Sequence, residues 1–165
     1  MATYKRRLAR EKALQALYAY ELSKEPISNI METIFGEFRK HEEDFEFAKR
    51  LVNEVIAHQQ ETENIIKSKV AHWEFDRIAV IDKILLSMGI CEFLHFPDIP
   101  PKVTINEAIE IAKVYSTDKS DKFINGILDA ILTDLKTSKT LHKTGRGLLD
   151  KPLHSVVKTS EQDES

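Results

Sequence analysis

The scarcity of helix-breaking residues is the feature that most restricts how this 165-residue chain can fold. Segment 27–96 contains no proline, and only three of the five glycines, Gly36, Gly89 and Gly126, precede residue 136. Proline removes a backbone donor and glycine loses more conformational freedom on folding than other residues, so both disfavour helix interiors. Their scarcity permits long helices.

Apolar residues recur at helical spacing along most of the chain. The clearest run has the i, i+3, i+4, i+7, i+8, i+11 pattern, which a strand does not produce: Ile27, Ile30, Met31, Ile34, Phe35 and Phe38. The same spacing predicts helices over about 4–22, 27–38, 78–91, 105–115 and 121–135, and one from about 42 that is open to continue through 66. We therefore predict an all-α fold, a compact bundle of about six to seven helices.

Local signals refine the C-terminal part. Thr104 and Glu107 have the spacing of a capping box, which predicts a helix start at this point. Gly126 interrupts a helical apolar pattern at a cost of about 1 kcal/mol relative to alanine, so we expect another backbone to approach it closely. The periodicity stops after residue 135, which predicts a flexible tail over 136–165.

The sequence excludes a transmembrane protein. The longest uncharged stretches, 13–20 and 84–91, have eight residues each, whereas a membrane-spanning helix needs about 20 apolar residues. The apolar stretch after the N-terminal arginines is interrupted by Glu21 and has no small-residue cleavage site, so we expect a cytoplasmic protein. Cys91 is the single cysteine and is expected to be a buried packing residue.

Charge is distributed unevenly along the chain. The net charge of −3 combines +4 in residues 1–12, −9 in 13–135 and +2 in 136–165. A basic end on an acidic body indicates a polyanionic ligand on one surface and a cationic partner on another.

The basic end lies at the start of the first predicted helix. Lys5, Arg6, Arg7 and Arg10 line one side of its first turns, where each exposed cation opposes the helix dipole by roughly 0.3–1 kcal/mol. Phosphates would compensate these charges, because the arginine fork binds them bidentately. The alternative is a solvated charged end. On either interpretation we expect Arg7 and Arg10 to lie outside the core.

Catalytic signatures are absent from the sequence. It contains no G-x-S-x-G, P-loop or G-x-G-x-x-G motif. Glu54 with His58, and His41 with Asp44, have helical spacing but form no H-E-x-x-H motif, and we interpret them as surface pairs. Trp73 is expected in the core or on a partly buried surface. We therefore predict that the protein has no catalytic residue and binds no metal or cofactor. A metal-dependent hydrolase is a third alternative, ranked below the two hypotheses given at the end of this section.

Three motifs carry a resemblance to a known family. They are RRLAREKALQALY at 6–18, DIPPKVTINEAIEIAK at 98–113 and KFINGIL at 122–128. In this order, over about residues 4–135, they resemble the NusB family. The resemblance implies an all-helical protein with an N-terminal subdomain of about 1–70 and a C-terminal subdomain of about 71–135. It also implies a role in bacterial transcription antitermination, without catalysis.

The same resemblance implies partners and site residues. The partners are the boxA RNA of ribosomal-RNA leaders, the small-subunit ribosomal protein NusE, and a transcription elongation complex with other Nus factors. The family's RNA-binding positions fall on Lys5, Arg6, Arg7, Arg10, Tyr18, Lys119, Lys122 and Phe123. Its NusE-facing acidic positions fall on Asp76 and Asp82. Whether the free chain forms a homodimer stays open.

The sequence thus supports two main hypotheses. In the first, the arginine helix and the start of the last helix form one groove for unpaired RNA, which NusE extends. In the second, the chain is a helical protein-interaction module without RNA affinity, and its basic end serves only solvation.

Overall fold

The computed structural model describes residues 2–149, which form eight α-helices and two short 3₁₀ helices. Helices α1–α8 are Ala2–Ser23, Ile27–Phe35, Glu42–Ala57, Gln59–Lys67, His72–Phe75, Val80–His95, Pro101–Tyr115 and Ser120–Thr137. The 3₁₀ helices are Gly36–Lys40 and Gly145–Leu148. No strand occurs within 2–149, and the prediction of an all-α bundle is confirmed. None of the helices in this range has the length and apolar character needed to cross a membrane.

Helix α1 is packed on several sides by other helices. It contacts α2, α3, α6 and α7, and its buried face carries the fully buried Ala9, Ala13 and Ala16 beside Leu14 and Leu17. Small side chains at helix contacts shorten the distance between helix axes. The alanines therefore let α1 lie close to its neighbours, which brings the polar side chains at its start within reach of three other helices.

Helix α6 is the most deeply buried helix. Segment 84–93 is buried at every position except Ser87, as expected for a helix that is apolar on all sides. A Cβ at Gly89 would lie 2.9 Å from a methyl carbon of Leu128 in α8, so the two helices approach closely here. Gly126, in contrast, is exposed, and a Cβ there would meet nothing within 4 Å. The close approach expected at Gly126 is therefore wrong; of these two helical glycines, Gly89 is the closely packed one.

Replacing Gly126 by alanine should stabilise the protein. The added methyl group meets open space, and alanine loses less conformational entropy in a helix, so the free energy of unfolding should rise by about 0.5–1 kcal/mol in urea denaturation. Gly89→Ala is the matched comparison and should gain less, because Leu128 has to move. A less stable Gly126→Ala variant would contradict the open environment at this position.

Several helix boundaries differ from the sequence-based ones. The α3–α4 break occurs at His58, whose backbone angles (φ −112°, ψ 24°) leave the α-helical region, so a continuous helix through residue 66 is wrong. Gly36, with φ +38°, ends α2, and a 3₁₀ helix follows in place of the predicted continuation. The short α5 was not predicted. These breaks give eight helices rather than six to seven.

The capping box at Thr104 and Glu107 is also wrong. Helix α7 begins at Pro101, and proline is favourable at a first helical position because its missing N–H has no intrahelical partner there. Thr104 and Glu107 are therefore inside the helix. Their side chains bond to Glu92 and Arg7 of other helices instead of capping α7.

The segment after α8 folds back onto the bundle. Lys143 Nζ donates hydrogen bonds to the carbonyls of Glu92 and Phe96, each at 2.8 Å, and Thr144 N–H donates to the Pro97 carbonyl. Burial lowers the pKa of Lys143 to about 8. The prediction of a flexible tail over 136–165 is therefore wrong for the residues up to 149. Residues 150–165 of the expected tail lie outside the described residues. The division into two subdomains stays a prediction.

Candidate nucleic-acid interface

Arg10 belongs to the core rather than to an open surface. Its side chain is 4% exposed and forms a bidentate ion pair with Glu92 of α6, with N–O distances of 2.9 and 2.7 Å. Thr104 Oγ1 of α7 donates a third hydrogen bond to Glu92 Oε1 at 2.9 Å. Burial alone would lower the pKa of Arg10, but the charge of Glu92 and its hydrogen bonds outweigh this effect, and the pKa is raised. The expectation that Arg10 faces solvent is wrong.

Arg7 is paired but remains accessible. Its Nε and Nη2 donate to the two carboxylate oxygens of Glu107 at 2.8 and 3.1 Å, and these hydrogen bonds raise its pKa. The Arg7 side chain is 39% exposed, whereas that of Glu107 is 6% exposed. Guanidinium has five N–H donors, and the ion pair uses two of them. Arg7 can therefore contact an additional anion without leaving Glu107.

Arg6 lies at the junction of α1 and α3. Its Nε donates to Asp44 at 3.1 Å, and Glu43 lies 3.8 Å from its Nη2. The guanidinium is positioned over the ring of Phe47, 4.2 Å from the centroid, which is a favourable cation–π contact. The side chain is 30% exposed, so its orientation is fixed by protein contacts while part of it faces solvent.

The three arginines therefore receive compensation from within the protein. Asp44, Glu92 and Glu107 come from three different helices, and their negative charges offset the unfavourable position of cations at the start of α1. Phosphates are not needed for this compensation, contrary to the sequence-based argument. Lys5 is exposed and adds a further positive charge to the same end of α1.

The α7–α8 turn forms the second part of the candidate interface. Lys119 and Lys122 are exposed there, and Phe123 is half-buried. Asp82 of α6 fixes this turn, since its two carboxylate oxygens accept hydrogen bonds from Ser116 and Ser120 at 2.6 and 2.8 Å. Asp82 is 6% exposed, so its expected position on an open partner surface is wrong. Asp82 therefore stabilises the turn from inside the protein.

Helices α1 and α7 bring the two parts toward one another. Arg7 of α1 bonds to Glu107 of α7, and Gln15 Nε2 donates to the Tyr115 hydroxyl at 3.1 Å. The second contact lies eight residues after the first in both helices. The helices thus run parallel. Tyr18, which is 39% exposed, lies almost one turn beyond Gln15, toward the end where α8 begins. The exposed residues of α1 and of the α7–α8 turn therefore border the same pair of helices.

An aromatic side chain near this turn lies on the surface. Trp73 is 61% exposed rather than in the core, and the Arg77 guanidinium lies 5.6 Å from the centroid of its ring. Both residues line a groove with Lys119 and Phe123. The i, i+4 spacing of an aromatic and a basic residue was the available signal for this cation–π pair. Asp76, which lies between Trp73 and Arg77 in the sequence, is also exposed.

Together, the exposed cations and aromatic rings of the helical bundle define a surface suited to binding an extended polyanion. The model of the NusB family matches residues 7–133. The chain belongs to the NusB family.

Curated and solved relatives agree with this assignment. Transcription antitermination protein NusB of Chloroherpeton thalassium is 48% identical over 150 residues, covering 89% of this chain and 70% of the relative. The structure of T. maritima NusB superposes with a TM-score of 0.71 and 36% identity, covering 78% of this chain and 91% of that one. A crystal structure of the antitermination factors NusB and NusE in complex with dsRNA gives a TM-score of 0.72 at 27% identity, covering 81% and 98%.

Truncating Arg10 should destabilise the fold strongly. Arg10→Ala leaves Glu92 charged and buried, so the free energy of unfolding should fall by about 3–5 kcal/mol. Arg6→Ala is the matched control, and loss of its partly exposed pair should cost at most about 1 kcal/mol. Chemical denaturation of both variants measures the difference. Equal stabilities would show that the Arg10 pair does not support the core.

Proposed function

We propose that this protein is a bacterial transcription antitermination factor that binds single-stranded boxA RNA together with NusE and supports processive elongation by RNA polymerase. The proposal rests on the match to the NusB family over residues 7–133. It is supported by the 48% identity to the NusB protein of Chloroherpeton thalassium. The protein acts by binding alone, in the cytoplasm, and other Nus factors complete the elongation complex.

The proposed RNA surface consists of the predicted RNA-binding residues whose side chains reach solvent. Lys5, Arg6 and Arg7 on α1, with Lys119 and Lys122 near the start of α8, supply charges for phosphates. Tyr18 and Phe123 supply rings on which unpaired bases can stack. Arg10 contributes indirectly, because its ion pair with Glu92 fixes the helix that carries the other cations.

The NusE surface is centred on Asp76 in the C-terminal half. Asp76 is exposed and available to a cationic partner, whereas Asp82 is buried and acts by fixing the α7–α8 turn. This turn also carries Lys119, so a partner bound beside it extends the RNA groove. Joint contacts of this kind make RNA and NusE binding cooperative, because each ligand adds contacts for the other.

The protein-interaction module remains the alternative, and one titration separates the two functions. Fluorescence anisotropy of labelled boxA RNA and of a scrambled RNA should show tighter boxA binding, strengthened by NusE. If about five phosphates are neutralised, log K should fall with log salt at a slope near −3.5. Equal or absent binding of both RNAs, with and without NusE, would favour the interaction module.

A charge-matched pair of variants tests where the RNA binds. Lys122→Ala and Lys136→Ala each remove one exposed lysine from α8, at positions about 21 Å apart along the helix. Lys122→Ala should weaken boxA binding several-fold and reduce the salt slope by about 0.7, the contribution of one phosphate contact to a single strand. Lys136→Ala should leave both quantities unchanged. The same effect for both variants would contradict the proposed surface.

A further inference from the structure

A cluster of two histidines and two glutamates contains none of the candidate RNA residues. Glu54 of α3, His58 at the α3–α4 break and His95 at the end of α6 each place one ligand atom within 4.8 Å of the other two. Sequence spacing identified Glu54 and His58 as a surface pair, but it gave no indication of His95. The fold thus adds a third potential ligand from a distant part of the chain.

His58 is held between two carboxylates. Its Nε2 lies 3.0 Å from Glu54 Oε2, and its Nδ1 lies 3.2 Å from Glu61 Oε2. Two ligand atoms of a tetrahedral zinc ion are separated by about 3.3 Å when the bonds are about 2.0–2.1 Å long. The Glu54–His58 pair therefore needs little movement to share a metal, and Glu61 is placed to orient the imidazole through its other nitrogen.

His95 supplies a second, independent observation, an unpaired buried nitrogen. Its ring stacks on that of His58, with centroids 4.0 Å apart and an interplanar angle of 17°. Its Nε2 is inaccessible to solvent and has no hydrogen-bond partner within the described part of the chain. Buried polar atoms are nearly always satisfied, so the unpaired nitrogen of His95 calls for a partner. Because the two rings are nearly parallel, one of them has to rotate for both to bind the same ion.

We propose that Glu54, His58 and His95 bind a divalent transition-metal ion, with zinc as the best match. Two imidazoles and one carboxylate form a nitrogen–oxygen set that suits zinc better than magnesium, which prefers oxygen ligands. Glu61 is the positioning residue for His58. The ion joins the α3–α4 break to the end of α6, so it clamps the two halves of the bundle together. The site adjoins the proposed RNA surface, because Arg6 and Glu54 line one pocket.

Isothermal titration calorimetry of untagged, metal-free protein with zinc chloride tests the site. We expect one zinc ion per chain, a zinc-dependent rise in the melting temperature and no comparable effect of magnesium chloride. His95→Gln and His58→Gln should abolish this binding, and Glu61→Gln should weaken it about tenfold or more. Retained one-to-one binding in both histidine variants would overturn the proposal.

His72→Gln is the matched control, because His72 is exposed and lies outside the cluster. It should bind zinc as the unchanged protein does, and loss of binding in this variant would place the site elsewhere. Cobalt substitution gives a second readout: a four-coordinate site produces strong visible absorption bands that should disappear in Glu54→Gln. Circular dichroism of each variant separates loss of the site from loss of the fold, and a folded Glu54→Gln variant with unchanged bands would contradict the assignment.

Discussion

The buried ion pair between Arg10 and Glu92 is the interaction on which the arrangement of the helices depends. It joins α1 to α6, and Thr104 extends it to α7. Lys143 bonds to the backbone carbonyl of the same Glu92, so the C-terminal segment is attached to this point as well. Burying two charges is costly, and only the bidentate geometry and the additional hydrogen bonds make it tolerable. Loss of either partner would leave an isolated charge inside the bundle.

This pair divides the basic end of α1 into two groups with different roles. Arg10 orients the helix from within the core, whereas Arg6 and Arg7 are held by carboxylate partners and still reach solvent. Fixed side chains lose less entropy when they bind a phosphate, so the internal ion pairs preorganise Arg6 and Arg7 for the RNA contacts that we propose. The parallel packing of α1 and α7 connects this surface with the lysines at the start of α8.

Periodicity predicted the helices well, because most apolar residues serve one continuous core. Local capping signals failed where a tertiary partner competes with them: Thr104 and Glu107 bond to other helices and do not cap their own helix. Arg10 and Glu92 are separated by 82 positions, so no local pattern reveals that they meet. Likewise, His95 joins Glu54 and His58 only through folding. Charge placement indicated the cations of α1, family resemblance added the other candidate RNA residues, and their division into buried and exposed groups required the structure.

The most direct test is the NMR spectrum of the arginine Nε–H groups, recorded with and without boxA RNA and NusE. The account predicts that the signals of Arg6 and Arg7 shift when the RNA binds. The Arg10 signal should stay in place and exchange slowly with solvent, because its guanidinium is buried against Glu92. An Arg10 signal that exchanges rapidly and shifts with RNA would contradict the account, since the pair would then open to contact the nucleic acid.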